Sequence, residues 1–358
     1  MANRIFARSP FIIRVDEAGQ LGSKIEIFIW NAGGSPPSPN YTYKFSKLAP
    51  SPTNTANYYN ISPYIQEYIN HIQNQTPYNS SPSTPNSQWC SVYVIRYKLS
   101  AGGYSVLDST QYKAYNGYGF YEDGTNPQLT NYFLEQGTYY YNYDVNADFA
   151  TQPLTRCGHI TAEKVTGSYF KYTNLVTGAV NNSFMTAGEV MDTPRVYLYN
   201  YMDGNKVELF NASNVLQATW YFRPIVECRY TPVVIDFVNR YGAWQREFFF
   251  KASNENMNVK TNSYNLMQTK LYNYSVTEGQ SREFNVNGNE SIKVNSGLRN
   301  EDFFSSIKQL MLSERILLNN EPVKLKTKNI EKFKEVNTKI INYTLEFEYA
   351  FDTINNVM

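Results

Sequence analysis

The 358-residue chain is poor in the residues that usually build reactive centres: it has three Cys and two His. Cys90, Cys157 and Cys228 are too few and too scattered for a disulfide framework, and with His71 and His159 they make no zinc-binding pattern. We expect free, mostly buried thiols in a reducing compartment and no metal site. Charge of one sign is also lacking. There are 32 Lys+Arg against 31 Asp+Glu, a net of +1, so nothing marks the chain as a binder of phosphate backbones. No run of eighteen apolar residues is present to span a bilayer. The first fifteen residues carry Arg4, Arg8 and Arg14 among short apolar pieces, without the continuous apolar region of a secretory signal.

What is abundant is aromatic and amide. Tyr and Phe number 32 and 21, and Asn occurs about forty times. Tyr and Phe suit pleated surfaces and Asn suits turns, which together predict a mainly β, multidomain chain rich in loops. Ile25, Ile27 and Ile29 alternate as on a half-buried strand, and Tyr41–Phe45 resumes the two-residue period. Ser62-Pro63 signals a helix start, with Ile65, Tyr68, Ile69 and Ile72 on one face. After the Pro/Ser/Asn-rich loop 74–87, strand patterns at 89–99 and 104–111 flank Gly102-Gly103. This order predicts an immunoglobulin- or fibronectin-like β-sandwich with a short helix over 1–125.

Short strand patterns at 159–165, 169–174, 195–199, 206–210 and 215–227 predict a β-rich middle domain over 126–230. The remainder, 231–358, reads as an α+β docking and oligomerisation domain. It has a hairpin at 233–238 and 245–250 turning near Tyr241-Gly242. Asn300 is positioned to cap a helix whose first turn holds Glu301 and Asp302. Val323 and Leu325 alternate with Lys324 and Lys326. Ile341, Tyr343, Leu345, Phe347, Tyr349 and Phe351 take every second position opposite an acidic face. We expect Tyr343, Phe347 and Phe351 in the core, Trp244 and Arg246 at a subunit interface, and the end of this long strand free to pair with a neighbouring subunit.

Chemistry finds little purchase. Neither His sits in a catalytic context, no P-loop or dinucleotide fingerprint occurs, and Asp144–Asp148 mimics a calcium loop that fails at Phe149 and Thr155. No catalytic residue, metal or cofactor is assigned. The lysines 324, 326, 328, 332 and 334 are interrupted by Glu331 and Glu335 and read as a solvated strand face. The tyrosines of 112–121 and 139–143 suit interfaces, or stacking on sugar rings.

The runs Phe237–Phe250 (FVNRYGAWQREFFF), Ser291–Gly297 (SIKVNSG) and Ile341–Asp352 (INYTLEFEYAFD) resemble virion proteins of Bacteroidetes-infecting tailed phages, notably the crAss-like group. The resemblance covers the last third of the chain. It implies a non-enzymatic neck or tail protein, a homo-oligomeric ring between portal and tail around the DNA channel. Other neck, tail and portal proteins would be its partners. No sequence-specific nucleic acid, no membrane insertion and no cofactor are implied, and the location would be the virion, after assembly in the bacterial cytoplasm. The alternative is a phage fibre or a receptor- or glycan-binding adhesin.

Overall fold

The computed structural model describes residues 4–31, 35–37, 40–51, 53–72, 89–142, 160–163, 165–185, 195–197, 201, 203–227, 229–266, 275, 277, 279–331 and 340–355. The fold is mainly β, with several sheets and two α-helices among these residues. Two compact units emerge. One comprises Met1–Val226, Phe237–Glu247 and Ser305–Glu314, and the other Glu227–Asp236, Phe248–Phe304 and Arg315–Met358.

The first unit begins with β1 (Arg4–Phe6), β2 (Ile12–Val15), β3 (Gly22–Asn31), β4 (Tyr43–Leu48), β5 (Asn57–Asn60), α1 (Ser62–Ile72), β6 (Trp89–Ser100) and β7 (Gly103–Tyr115). Five of these strands form a sheet in the order β1-β7-β6-β3-β4, with β1 parallel to β7 and the other neighbours antiparallel. The antiparallel pair β2-β5, with α1, supplies the second layer. Thus β3, β6 and β7 stand where strands C, F and G of an immunoglobulin-type sandwich stand, and β2 and β5 where B and E stand. Alternation builds the core: Ile25, Ile27 and Ile29 face Val92 and Val94 on one layer and Ile13, Val15, Ile65 and Ile69 on the other, all buried. Each such side chain contributes about 1.5–3 kcal/mol. Cys90, on β6, holds a buried free thiol that burial pushes well above its ordinary value. At the head of α1 the Ser62 hydroxyl donates to the Ser9 carbonyl (2.6 Å), and the Asn60 side chain accepts from the Ser62 N–H.

The same unit continues with β8 (Gly137–Asn142), β9 (Ile160–Ala162), β10 (Tyr169–Asn174), β11 (Val180–Phe184), β12 (Arg195–Tyr197), β13 (Asn205–Phe210) and β14 (Leu216–Ile225). A second sheet runs β11-β10-β13-β14-β8, and β9 pairs with β12. Its inward positions are aromatic: Tyr139, Tyr141, Phe170, Tyr172, Trp220 and Phe222 are all buried.

Polar bonds cross residue 125, inside the first unit. Arg4 forks onto Glu163 (3.0 and 2.6 Å), and the Tyr115 hydroxyl donates to the same carboxylate (2.5 Å). The Asn126 side chain accepts from the Ile12 N–H (2.6 Å) and donates to the Ile12 carbonyl (2.9 Å). Burial alone would raise the Glu163 carboxyl. The Arg4 hydrogen bond, the Lys113 and Arg4 charges and the Tyr115 hydroxyl outweigh it and hold the group below its ordinary value. The turn at Tyr241-Gly242 also belongs to this unit. Gly242 has φ +80°, and a Cβ there would meet the Asn116 backbone at 2.8 Å, so only glycine fits.

The last sheet has seven strands, built from β15 (Val233–Val238), β16 (Trp244–Phe249), β17 (Asn254–Asn265), β18 (Ser281–Asn300), β19 (Ile316–Leu318), β20 (Glu321–Leu325) and β21 (Ile340–Tyr349), with α2 (Phe303–Met311) between β18 and β19. The order is β16-β15-β19-β20-β21-β18-β17. Asn319 and Asn320, with φ of 49° and 73°, make the two-residue turn between β19 and β20, in the left-handed conformation that Asn tolerates and that such hairpins need. Ile292, Val294, Tyr343, Leu345 and Phe347 form the buried face of β18 and β21.

Three expectations for this region are corrected. Asn300 ends β18 instead of capping a helix, and Glu301 and Asp302 form the turn before α2. β21 is an interior strand, paired with β20 and β18 almost to its end, so its last residues already have partners within the chain. Phe351 is 49% exposed because the strand stops at Tyr349, and the two-residue alternation no longer directs its side chain inward.

Two predictions follow from this packing. Phe347→Ala should cost about 3–5 kcal/mol in urea unfolding, whereas Phe351→Ala should stay within about 0.5 kcal/mol; equal losses would return Phe351 to the core. Glu163→Gln should cost about 3–5 kcal/mol at neutral pH, because it leaves a buried guanidinium without its counter-charge. A carboxyl depressed on folding adds stability above its unfolded pKa, about 4.3, that is lost as pH falls through the folded value. Stability of the parent protein should therefore fall more steeply below about pH 4.3 than that of the Gln variant.

Candidate assembly surface

Of the residues expected at an interface or core, Tyr343 (3% exposed) and Phe347 (0%) are buried. Trp244 and Arg246 are buried too, because β16 is covered along its whole length, so neither is available to another subunit's surface. The tyrosine clusters are largely internal: Tyr115, Tyr118, Tyr139 and Tyr141 are buried, and Tyr121 is fully exposed. Lys324 stands directly opposite Glu348, and Lys326 pairs with Glu346 at 2.6 Å, so the acidic face of β21 neutralises the lysine face of β20. Lys332, Lys334, His159 and the Asp144–Asp148 loop lie outside the described residues, as does the side chain of His71. Among the described residues no cluster of three His, Cys, Asp or Glu side chains is placed to hold a metal, and no helix is long and apolar enough to cross a membrane.

The feature that sequence reasoning missed is β17. All twelve of its residues are exposed, although it pairs with β18 from Asn254↔Lys293 to Asn265↔Ser281. Five of the twelve are Asn, whose intrinsic preference is for turns, so it is the pairing with β18 that makes this segment a strand. β18 in turn runs past the rest of the sheet. It meets β21 from Ser291 onward, and at 287–288 it is met by the C-terminal segment: the Thr353 N–H donates to the Gly288 carbonyl (2.8 Å), and Asn287 exchanges bonds with Ile354. The remainder of β18, Ser281–Val286, is exposed and forms a two-stranded ribbon with β17. A bulge at Asn285, with φ +52°, interrupts the ladder, and beyond it Tyr264 and Phe284 make an edge-to-face ring pair at 5.4 Å.

The ribbon is electrically neutral. Lys260, Arg282 and Lys293 are matched by Glu255, Glu283 and Glu290. Its outer edge strand carries a single Lys and no Pro. The Gly288 carbonyl points to Thr353 and hence away from β17, so in an antiparallel ladder its opposite residue, Val259, directs its own N–H and C=O outward. Alternation gives Glu255, Met257 and Thr261 the same direction. At the far end the Leu266 N–H donates to the Gln280 carbonyl (2.7 Å), which agrees with that parity.

No protein-family model matches the chain, and no curated protein matches it.

In dilute protein, hydrogen exchange should find the Met257 and Val259 amides exchanging close to the unstructured rate and those of Asn256 and Asn258 more slowly. Equal protection of all four would contradict an outward-facing edge.

Proposed function

We propose that this is a non-enzymatic structural protein of a tailed-phage virion. In this reading it multimerises as a ring in the neck or tail, connecting portal and tail around the DNA channel, and it uses no cofactor. The observation that carries the reading is the long, neutral, fully exposed edge strand β17. Such an edge is an instrument of assembly: extended strands dock on it through main-chain bonds, without a ligand pocket. The resemblance of the last third of the chain to virion proteins of crAss-like phages supports the same reading, and the seven-stranded sheet with its ribbon is built from that third. The partners are other copies of the chain and the portal and tail proteins above and below it. The fibre or adhesin alternative receives less support, because four of the seven described tyrosines in the two clusters that would stack on a glycan are buried.

Light scattering combined with negative-stain images of the full chain tests this. A wide multimer with a central hole is expected, either alone or on addition of portal and tail proteins. An elongated trimer would overturn the ring in favour of a fibre, and release of reducing ends from capsular polysaccharide would overturn the non-enzymatic assignment.

A further inference from the structure

We infer that β17 pairs with β17 of a second copy of this chain, antiparallel about a two-fold axis through Asn258, so that β18-β17 of one copy and β17-β18 of the other form one sheet. This deepens the assembly reading and rests on it. It adds an occupant, a register and a symmetry.

A two-stranded ribbon is marginal in water by itself, and a twelve-residue edge with a single Lys and no Pro lacks the usual protection against pairing. The ribbon's charges cancel, so it offers no field to a nucleic acid or another strongly charged ligand. What it offers is complementarity to itself. In a two-fold antiparallel pair the side chains of directly opposed residues share a face, so odd-numbered residues must oppose odd-numbered ones. These are the residues whose backbone groups point outward.

With the axis at Asn258, Met257 opposes Val259 of the second copy, and the reverse pair follows by symmetry. Each pair exchanges two N–H to C=O bonds. Met257 and Val259, 54% and 57% exposed in the single chain, then form an apolar quartet on one face. On the other face Asn258 meets Asn258, Asn254 meets Asn262, and Lys260 meets Asn256. Glu255 meets Thr261, so no like charges are opposed. Other registers lose this. An axis at Lys260 opposes two lysines, one at Met257 sets Val259 against Glu255, and one at Val259 sets Met257 against Thr261. A two-fold contact is self-complementary and joins copies in pairs, so a ring made with it contains face-related pairs of subunits.

The test is a cross-link in the full chain, with Cys157 and Cys228 replaced by Ser and the buried Cys90 retained. In the proposed register the two Asn258 Cα atoms are about 4.5 Å apart, within disulfide reach. Two Asn254 residues are separated by about 27 Å along the strands. With diamide as the oxidant, Asn258→Cys should form a covalent dimer at least ~10-fold faster than Asn254→Cys. A second variant, Val259→Pro, removes an outward N–H that makes no bond to β18, and Pro is tolerated on an edge strand. It should lower the assembled fraction while leaving the thermal midpoint of dilute protein unchanged. If the parent protein assembles but Asn258→Cys cross-links no faster than Asn254→Cys, or Val259→Pro assembles normally, the two-fold pairing is wrong and self-assembly stands. A parent that stays monomeric at every concentration and with every partner removes both.

Discussion

The strand at the rim of a β-sheet carries a row of backbone N–H and C=O groups with no neighbour to receive them, and the way each rim is handled organises this molecule. In the sandwich sheet, β1 is only three residues long and is anchored by the Arg4 fork onto Glu163, while β4 at the other rim displays Lys44 and Lys47. In the middle sheet, β11 is held to five residues. In the seven-stranded sheet, β16 is buried from end to end. Short strands, lysines and burial are the familiar ways of keeping an edge from pairing. β17 is long and exposed and carries a single lysine, Lys260, and it is the longest exposed edge among the described residues.

The balance of charge in the composition is repeated locally in the sheets. Opposite charges lie across neighbouring strands, as with Lys324 against Glu348, Lys326 against Glu346, and Lys293 against Glu346. The exposed pairs among them contribute little to stability individually. Their effect is to leave flat faces without a field of either sign, which suits surfaces that meet neutral protein.

Where a strand buries one face, its sequence announces it. Ile25, Ile27 and Ile29, or Tyr343, Leu345 and Phe347, could be placed inward from period alone, and Ser62-Pro63 marked α1 because the helix start has its own chemistry. Legibility failed where the determining partner was distant. Asn254–Asn265 has no buried face, so no hydrophobic period exists to read, and its strand character comes from β18. Phe351 continues the alternation of β21 in sequence after the strand has ended in space. Trp244 and Arg246 were expected at an interface, yet every residue of β16 is buried within the chain. The bonds across residue 125 were invisible because Arg4 and Glu163 meet across 159 residues.

That last separation also has a temporal side. β1 aligns in parallel with β7, more than a hundred residues later, and the counter-charge of its arginine arrives later still. During synthesis the neighbours β3, β6 and β7 can pair among themselves long before Glu163 emerges, while β1 must wait, because closing so long a loop is repaid only once its contacts exist. β1 is therefore made well before the partners that secure it, and until they exist the β7 edge that it covers stays open on the nascent chain.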